Sequence, residues 1–215
     1  MKSISYRCPS NKLRIPRTLL FDLDDTLYPK SVGLLKTVSE RIVAYIEMRL
    51  KLSHGDANEM RIKYRDAFGS SLVGLYHIEK IDPVAYEKYV YDIDYAFYLS
   101  PDYELAEVIG SLPQEKIVFT NAAEGHASAV IKHLGLERYI DKIVSIEKLF
   151  YYAKPMPQSF REMFRVTGIN ASETIFFDDQ VSNLIAAQRF NMRTALVSEE
   201  ISLSARLKEL AAILC

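Results

Sequence analysis

The chain has 215 residues, 49% of them hydrophobic and 26% charged, with a formal net charge of −1 and a pI near 6.4. Such a composition can bury an ordinary core, and its near-neutral field gives no reason to expect a nucleic acid or an anionic membrane as partner. Cys8 and Cys215 are the only cysteines, no disulfide framework, and no apolar run reaches membrane-spanning length, so the expectation is a cytoplasmic protein.

Residues 1–16 read as a basic tail (Lys2, Arg7, Lys12, Arg14, with Arg17 following), broken by Pro9 and Pro16 and lacking the apolar core of a secretory signal. Then comes an unalternating apolar run from Thr18 that predicts a strand buried on both faces. It stops at Asp22-Leu23-Asp24-Asp25-Thr26-Leu27-Tyr28-Pro29, where Pro29 cannot continue a strand or helix interior. Residues 31–97 read as a helical insert. Ser31 is a candidate N-cap for a helix with Leu35, Val38, Ile42, Tyr45 and Ile46 on one face. A second helix starts near Asp56 with Met60, Tyr64 and Phe68 in register, and Gly69 and Gly74 bracket a short link. Asp82-Pro83 opens a third, which carries Tyr86, Tyr89, Val90 and Ile93. The tyrosine-rich run from Tyr76 to Tyr103 reads as core with polar tips rather than as a platform for a base.

Beyond Pro101 helices and strands alternate. A helix with Leu105, Val108 and Ile109 leads to a strand at 116–120, then a helix at 123–134 that stops at Gly135. A short strand at 142–145 and a helix with Phe160, Met163 and Phe164 follow, the latter ending at Gly168. The strand at 174–177 runs into Asp178-Asp179; a helix at 181–190 ends at Asn191; a strand at 193–197 and a helix with Leu203, Leu207 and Leu210 complete the pattern. The expected class is α/β, a Rossmann-like parallel sheet with helices on both faces and a small α-helical insertion after the first strand.

In such a sheet the carboxyl ends of the strands share one rim. That rim collects Asp22 and Asp24, then Thr120 and Asn121, then Asp178 and Asp179, with Lys154 from a loop before a helix. Singly, Thr120 or Asn121 could cap a helix, Lys154 could be a surface lysine, and Asp178-Asp179 a solvated turn; their joint placement is what points to a site. Carboxylates this close repel unless a cation compensates, and a hard, oxygen-loving ion such as Mg²⁺ suits them.

The order and type of these elements resemble the haloacid dehalogenase superfamily of phosphohydrolases. Its motifs fall here on Asp22-Leu23-Asp24-Asp25-Thr26, on Ile117-Val118-Phe119-Thr120, on Lys154 and on Asp178-Asp179. Within it, Leu27-Tyr28-Pro29, Thr120-Asn121-Ala122 with His126-Ala127, and Phe176-Phe177-Asp178-Asp179 are similar to the pyrimidine 5′-nucleotidases of fungi and plants. Gln180 and Ser182 depart from that subfamily's usual Ser and Arg, and Asn191 from its Gly, while Asn183 is kept. The resemblance implies a core of 17–30 and 98–215 with 31–97 as a cap, and a phosphate monoester as substrate. It implies Asp22 as nucleophile, Asp24 as acid and base, and Thr120, Asn121 and Lys154 on the phosphate. Mg²⁺ would be held by Asp22, the Asp24 backbone carbonyl and Asp178, with Asp179 ordering a metal-bound water or Lys154. Tyr28, Tyr64 and Phe68 are expected to influence substrate choice.

A signalling receiver domain also unites an acidic cluster, a Thr and a Lys, but its phosphorylated Asp is not on the first strand. A dehalogenase needs no acid for a halide, so Asp24 favours phosphate. A broad small-molecule or sugar phosphatase, or an inactive binding protein on the same fold, stays open. The oligomeric state is not readable.

Overall fold

The computed structural model of the chain describes residues 15–214. Cys8, Cys215 and the expected tail apart from Ile15 and Pro16 lie outside the described residues. Five parallel strands form the sheet: β1 (Thr18–Phe21), β2 (Glu115–Phe119), β3 (Lys142–Val144), β4 (Thr174–Asp178) and β5 (Arg193–Leu196), in the order β3-β2-β1-β4-β5. The first strand is therefore central, and Phe21 pairs with Val118 on one side and Phe177 on the other.

Between β1 and β2 run α1 (Leu34–Leu50), α2 (His54–Phe68), α3 (Ser71–His77), α4 (Pro83–Val90) and α5 (Tyr103–Ser111). After β2 come α6 (Glu124–His133), α7 (Pro157–Thr167), α8 (Val181–Gln188) and α9 (Leu203–Leu214). Alternation along β1 explains the two layers. Leu19 and Phe21 enter a cluster with Ile109, Val130, Ile131 and Leu207, whereas Leu20 joins Phe119, Phe160, Met163 and Phe176 on the opposite face. Helices α1 to α4 bury a third cluster of their own, Val38, Ile42, Tyr45, Ile46, Tyr64, Leu75 and Tyr86 among its members. Ile146 and Ala153, from the segment after β3, complete it.

Two local expectations change. Ser31 lies in a 3-10 turn (Lys30–Val32), and α1 starts after Gly33, whose φ of 81° is a backbone state that glycine adopts without strain. The stretch between Gly69 and Gly74 is not a mere link, because Ser71–His77 is helical. Gly74 sits inside that helix because a Cβ there would lie 2.3 Å from the Tyr64 ring, so tight packing of α2 on α3 outweighs the poor helix propensity of glycine. Asn191, by contrast, where the sequence predicts the end of the helix at 181–190, takes a left-handed φ of 62°.

Candidate active site

Asp22 follows the last residue of β1, and its N–H donates to Phe177 O at 2.8 Å, which carries the sheet ladder one residue beyond the strand. Asp178 is the last residue of the neighbouring β4. Lys154, 1% exposed, reaches between them: its Nζ donates to Asp22 Oδ1 at 2.7 Å, to Asp178 Oδ2 at 2.9 Å and to Phe119 O at 2.8 Å. All three ammonium donors are thereby used, and the Phe119 and Phe176 rings flank the charge at 5.0 and 5.1 Å. Burial pushes the Lys154 ammonium down, yet the charges of Asp178 and Asp22 more than offset it and the net direction is up. Burial also carries Asp22 well above the ordinary carboxylate range, against the opposing pull of Lys154 and with the help of Asp178. Asp178 is anchored further by Asn183 Nδ2, 3.0 Å from both its oxygens, and by the Gln180 N–H at 2.7 Å.

Asp22, Asp178 and Asp179 each offer an oxygen within 4.8 Å of the others, a hard-oxygen set of the kind Mg²⁺ takes. Burial raises Asp179 as well, followed by the charge of Asp178. These residue types therefore fit a divalent cation, with Asp179 beside the two expected ligands. The Asp24 carboxyl is turned elsewhere. Its Oδ1 accepts from Tyr28 OH at 2.5 Å and lies 2.8 Å from His126 Nε2. Burial pushes Asp24 up, but the His126 charge and hydrogen bond, then that of Tyr28, outweigh it and hold the carboxyl below its usual range.

Thr120, 1% exposed, lies one residue past β2; its N–H donates to Val144 O and its Oγ1 accepts from the Ala122 N–H, each at 3.0 Å. The side chain of Asn121 is committed to backbone. Its Oδ1 accepts from the Lys154 N–H at 2.8 Å, while Nδ2 donates to Lys154 O at 3.0 Å and to Gly69 O at 3.1 Å. The first N–H of α6, that of Glu124, donates to Glu147 Oε1 at 3.0 Å, so this helix start already faces an anion. Tyr64 donates to Glu79 within the helical insert, away from Asp24, whereas Tyr28 touches Asp24 directly.

His126, named above only within a motif, proves to touch the site. It lies in the first turns of α6, buried, with Tyr95 OH 2.9 Å from Nδ1 and the Tyr91 ring stacked on it at 4.5 Å. A carboxylate at Asp24 can only accept, so Nε2–H donates to it and Nδ1 takes the Tyr95 proton when the imidazole is neutral. The signal available in the sequence was its place six residues after Thr120 on the helix that leaves the rim.

A first, central strand that ends in Asp22 and Asp24, beside a strand that ends in Asp178 and a buried Lys154, is the arrangement of the haloacid dehalogenase type. The chain belongs to the haloacid dehalogenase-like hydrolases, matching that family over residues 16–191. It is 28% identical over 192 residues to phosphate metabolism protein 8 of Saccharomyces cerevisiae, covering 82% of this chain and 60% of that one. It is 29% identical over 90 residues to the GMP/IMP nucleotidase YrfG of Escherichia coli, 42% of this chain and 40% of that protein. The matches thus span less than two thirds of these curated relatives. A haloacid dehalogenase-type phosphatase from Thermococcus onnurineus shares the fold with a TM-score of 0.59 at 17% identity, covering 92% and 97% of the two chains. Dehalogenases are among the other solved structures of this fold. No helix among the described residues is long and apolar enough to cross a membrane.

Proposed function

We propose that the protein is a Mg²⁺-dependent phosphomonoester hydrolase acting through an aspartyl phosphate, with a pyrimidine nucleoside 5′-monophosphate as substrate. The observation that carries it is the buried Asp22–Lys154–Asp178 bridge at the ends of adjacent strands, with Asp24 held separately two residues on. A dehalogenase has no use for a second carboxylate positioned as acid, and the YrfG relative bears a nucleotidase name.

Asp22, Asp178 and the Asp24 backbone carbonyl would hold Mg²⁺, with Asp179 beside them. When bound, the ion supplies positive charge that lets an anionic nucleophile approach an anionic ester. Asp22 attacks phosphorus as the ester bond breaks, and Asp24 gives its proton to the leaving oxygen. His126 and Tyr28 hold the Asp24 carboxyl below its usual range, and the negative charge of an arriving phosphate favours its protonated form. Water then attacks the phosphoryl group, Asp24 takes the water's proton, and the bond to Asp22 breaks. Lys154 balances the charge on Asp22 and on the transferred group. Thr120, through its hydroxyl hydrogen, and the Asn121 N–H bind phosphate oxygens, since the Ala122 and Glu124 N–H groups are already given to Thr120 Oγ1 and Glu147. The helical insert, residues 31–97, acts as cap and touches the leaving group.

The test is turnover of an aryl phosphate by purified protein with Mg²⁺, with excess chelator and with Ca²⁺, followed by a panel of nucleoside monophosphates and sugar phosphates. Activity lost in chelator and reduced by Ca²⁺, with UMP or CMP preferred, is expected. Full activity in chelator contradicts the metal; preference for GMP and IMP moves the assignment to purines, and even rates across the panel make it a broad phosphatase.

A further inference from the structure

His126 is buried beside the Asp24 carboxyl, yet the mechanism above gives it no work. Its ring is held on three sides. Tyr95 meets Nδ1, Tyr91 stacks on the ring face and the Asp24 carboxyl meets Nε2. Tyr28 donates to the same Asp24 oxygen that His126 meets, so Oδ1 has two donors. Oδ2 takes no hydrogen bond from the described residues and is not sealed from solvent, since the side chain keeps 16% of its surface exposed. A carboxyl group with one oxygen pinned by two donors has its plane fixed, and only the other oxygen is free to take or give a proton.

We propose that His126 is a positioning residue for the hydrolytic reaction: with Tyr28 it clamps Oδ1 of Asp24, and so assigns proton exchange with the leaving oxygen and with water to Oδ2. The proposal rests on the reading of Asp24 as acid and base. The proton on Oδ2 passes to the leaving oxygen as the ester bond breaks, and Oδ2 recovers a proton from water as the bond to Asp22 is cut. His126 takes no part in either proton transfer. It occupies the helix that leaves the Thr120 rim, and Tyr91 and Tyr95 belong to the segment returning from α4, so the acid is held by the core and the returning chain together.

Two substitutions separate the contacts of the ring. In His126→Gln the amide reaches the position of Nε2 and keeps a donor to Asp24, while the Tyr95 partner is lost. In His126→Asn the amide reaches only the position of Nδ1, so Tyr95 keeps a partner and Asp24 loses one. kcat and KM are measured on 4-nitrophenyl phosphate, whose phenolate leaves unaided, and on glycerol 2-phosphate, whose alkoxide needs a proton. Thermal unfolding is followed in parallel. His126→Asn is expected to lose roughly ten- to hundredfold more kcat on glycerol 2-phosphate than on 4-nitrophenyl phosphate. KM should change little, and phosphoenzyme should accumulate by intact mass with the aryl ester. His126→Gln should recover most of that gap. If neither variant folds, Tyr28→Phe removes the other donor to Oδ1 and should widen the same gap.

Equal losses on both esters, equal behaviour of the Gln and Asn variants, or a rise in rate on releasing Asp24 overturns the proposal while leaving the phosphatase reading intact. A wild-type protein inert toward both esters overturns that reading and the proposal with it.

Discussion

Asn121 donates from its side-chain amide to the backbone carbonyl of Gly69 at 3.1 Å, which ties the rim of the sheet to the end of a helix in the insert. Gly69 has a φ of 80°, and a Cβ there would come within 2.1 Å of Lys154 O. The backbone that carries the bridging lysine and the backbone that ends α2 are in direct contact.

Gly69→Ala should therefore do more than a left-handed alanine costs, which is ~1–2 kcal/mol. Gly33→Ala is the control, because Gly33 has the same conformation, φ 81°, with nothing within 4 Å of a Cβ. The expected result is a larger loss of Tm in Gly69→Ala than in Gly33→Ala. KM for nucleoside monophosphates should rise more than KM for an aryl phosphate. Matching Tm and KM values for the two variants would show that the contact with Lys154 carries no weight.

Lys154→Met leaves Asp22 and Asp178 facing each other without their cation. Removing one partner of a buried pair costs roughly 3–5 kcal/mol. The variant should lose activity and unfold earlier in chelator, and Mg²⁺ should raise its Tm more than it raises that of the wild type. Thermal unfolding with and without Mg²⁺ reads this, and an equal Mg²⁺ shift in both proteins would argue against a shared cation position.

Much of this site is legible in the sequence because topology does the gathering. An apolar run ending in Asp22, another ending in Thr120 and a third ending in Asp178 must meet at one rim once the strands are parallel. Lys154 was legible only as a motif; what fixes it is three acceptors from three separate segments. The role of His126 is not legible because its partner Asp24 is 102 residues away, and a histidine in a first helical turn reads as ordinary. Helix α3 was missed because local propensity argues against Gly74, and only the Tyr64 ring packed against it explains the residue.

The insert and the core also meet through like charges. Glu87 of α4 lies by Glu147 of the segment after β3, and burial, then the charge of Glu147 and a hydrogen bond to it, then Asp82, push it up from 4.5 to about 7. The folded state thus binds this proton more tightly than the unfolded chain. Its contribution favours folding below the ordinary value and is lost as pH rises through about 7. Glu87→Gln should raise Tm at about pH 8 and flatten its fall between about pH 5 and 8 relative to wild type. An unchanged pH profile would show that the two carboxyl groups do not interact.

The most direct measurement of the central claim is intact mass combined with pre-steady-state kinetics on Asp22→Asn and Asp24→Asn. Asp22→Asn lacks the nucleophile and should give neither turnover nor phosphoenzyme. Asp24→Asn keeps the nucleophile but loses acid–base help worth ~10²–10⁴-fold. Given an aryl phosphate with Mg²⁺, it should release a burst of phenol and gain the mass of one phosphoryl group on Asp22. An Asp22→Asn protein that still turns over, with no burst and no adduct in Asp24→Asn, would contradict the mechanism.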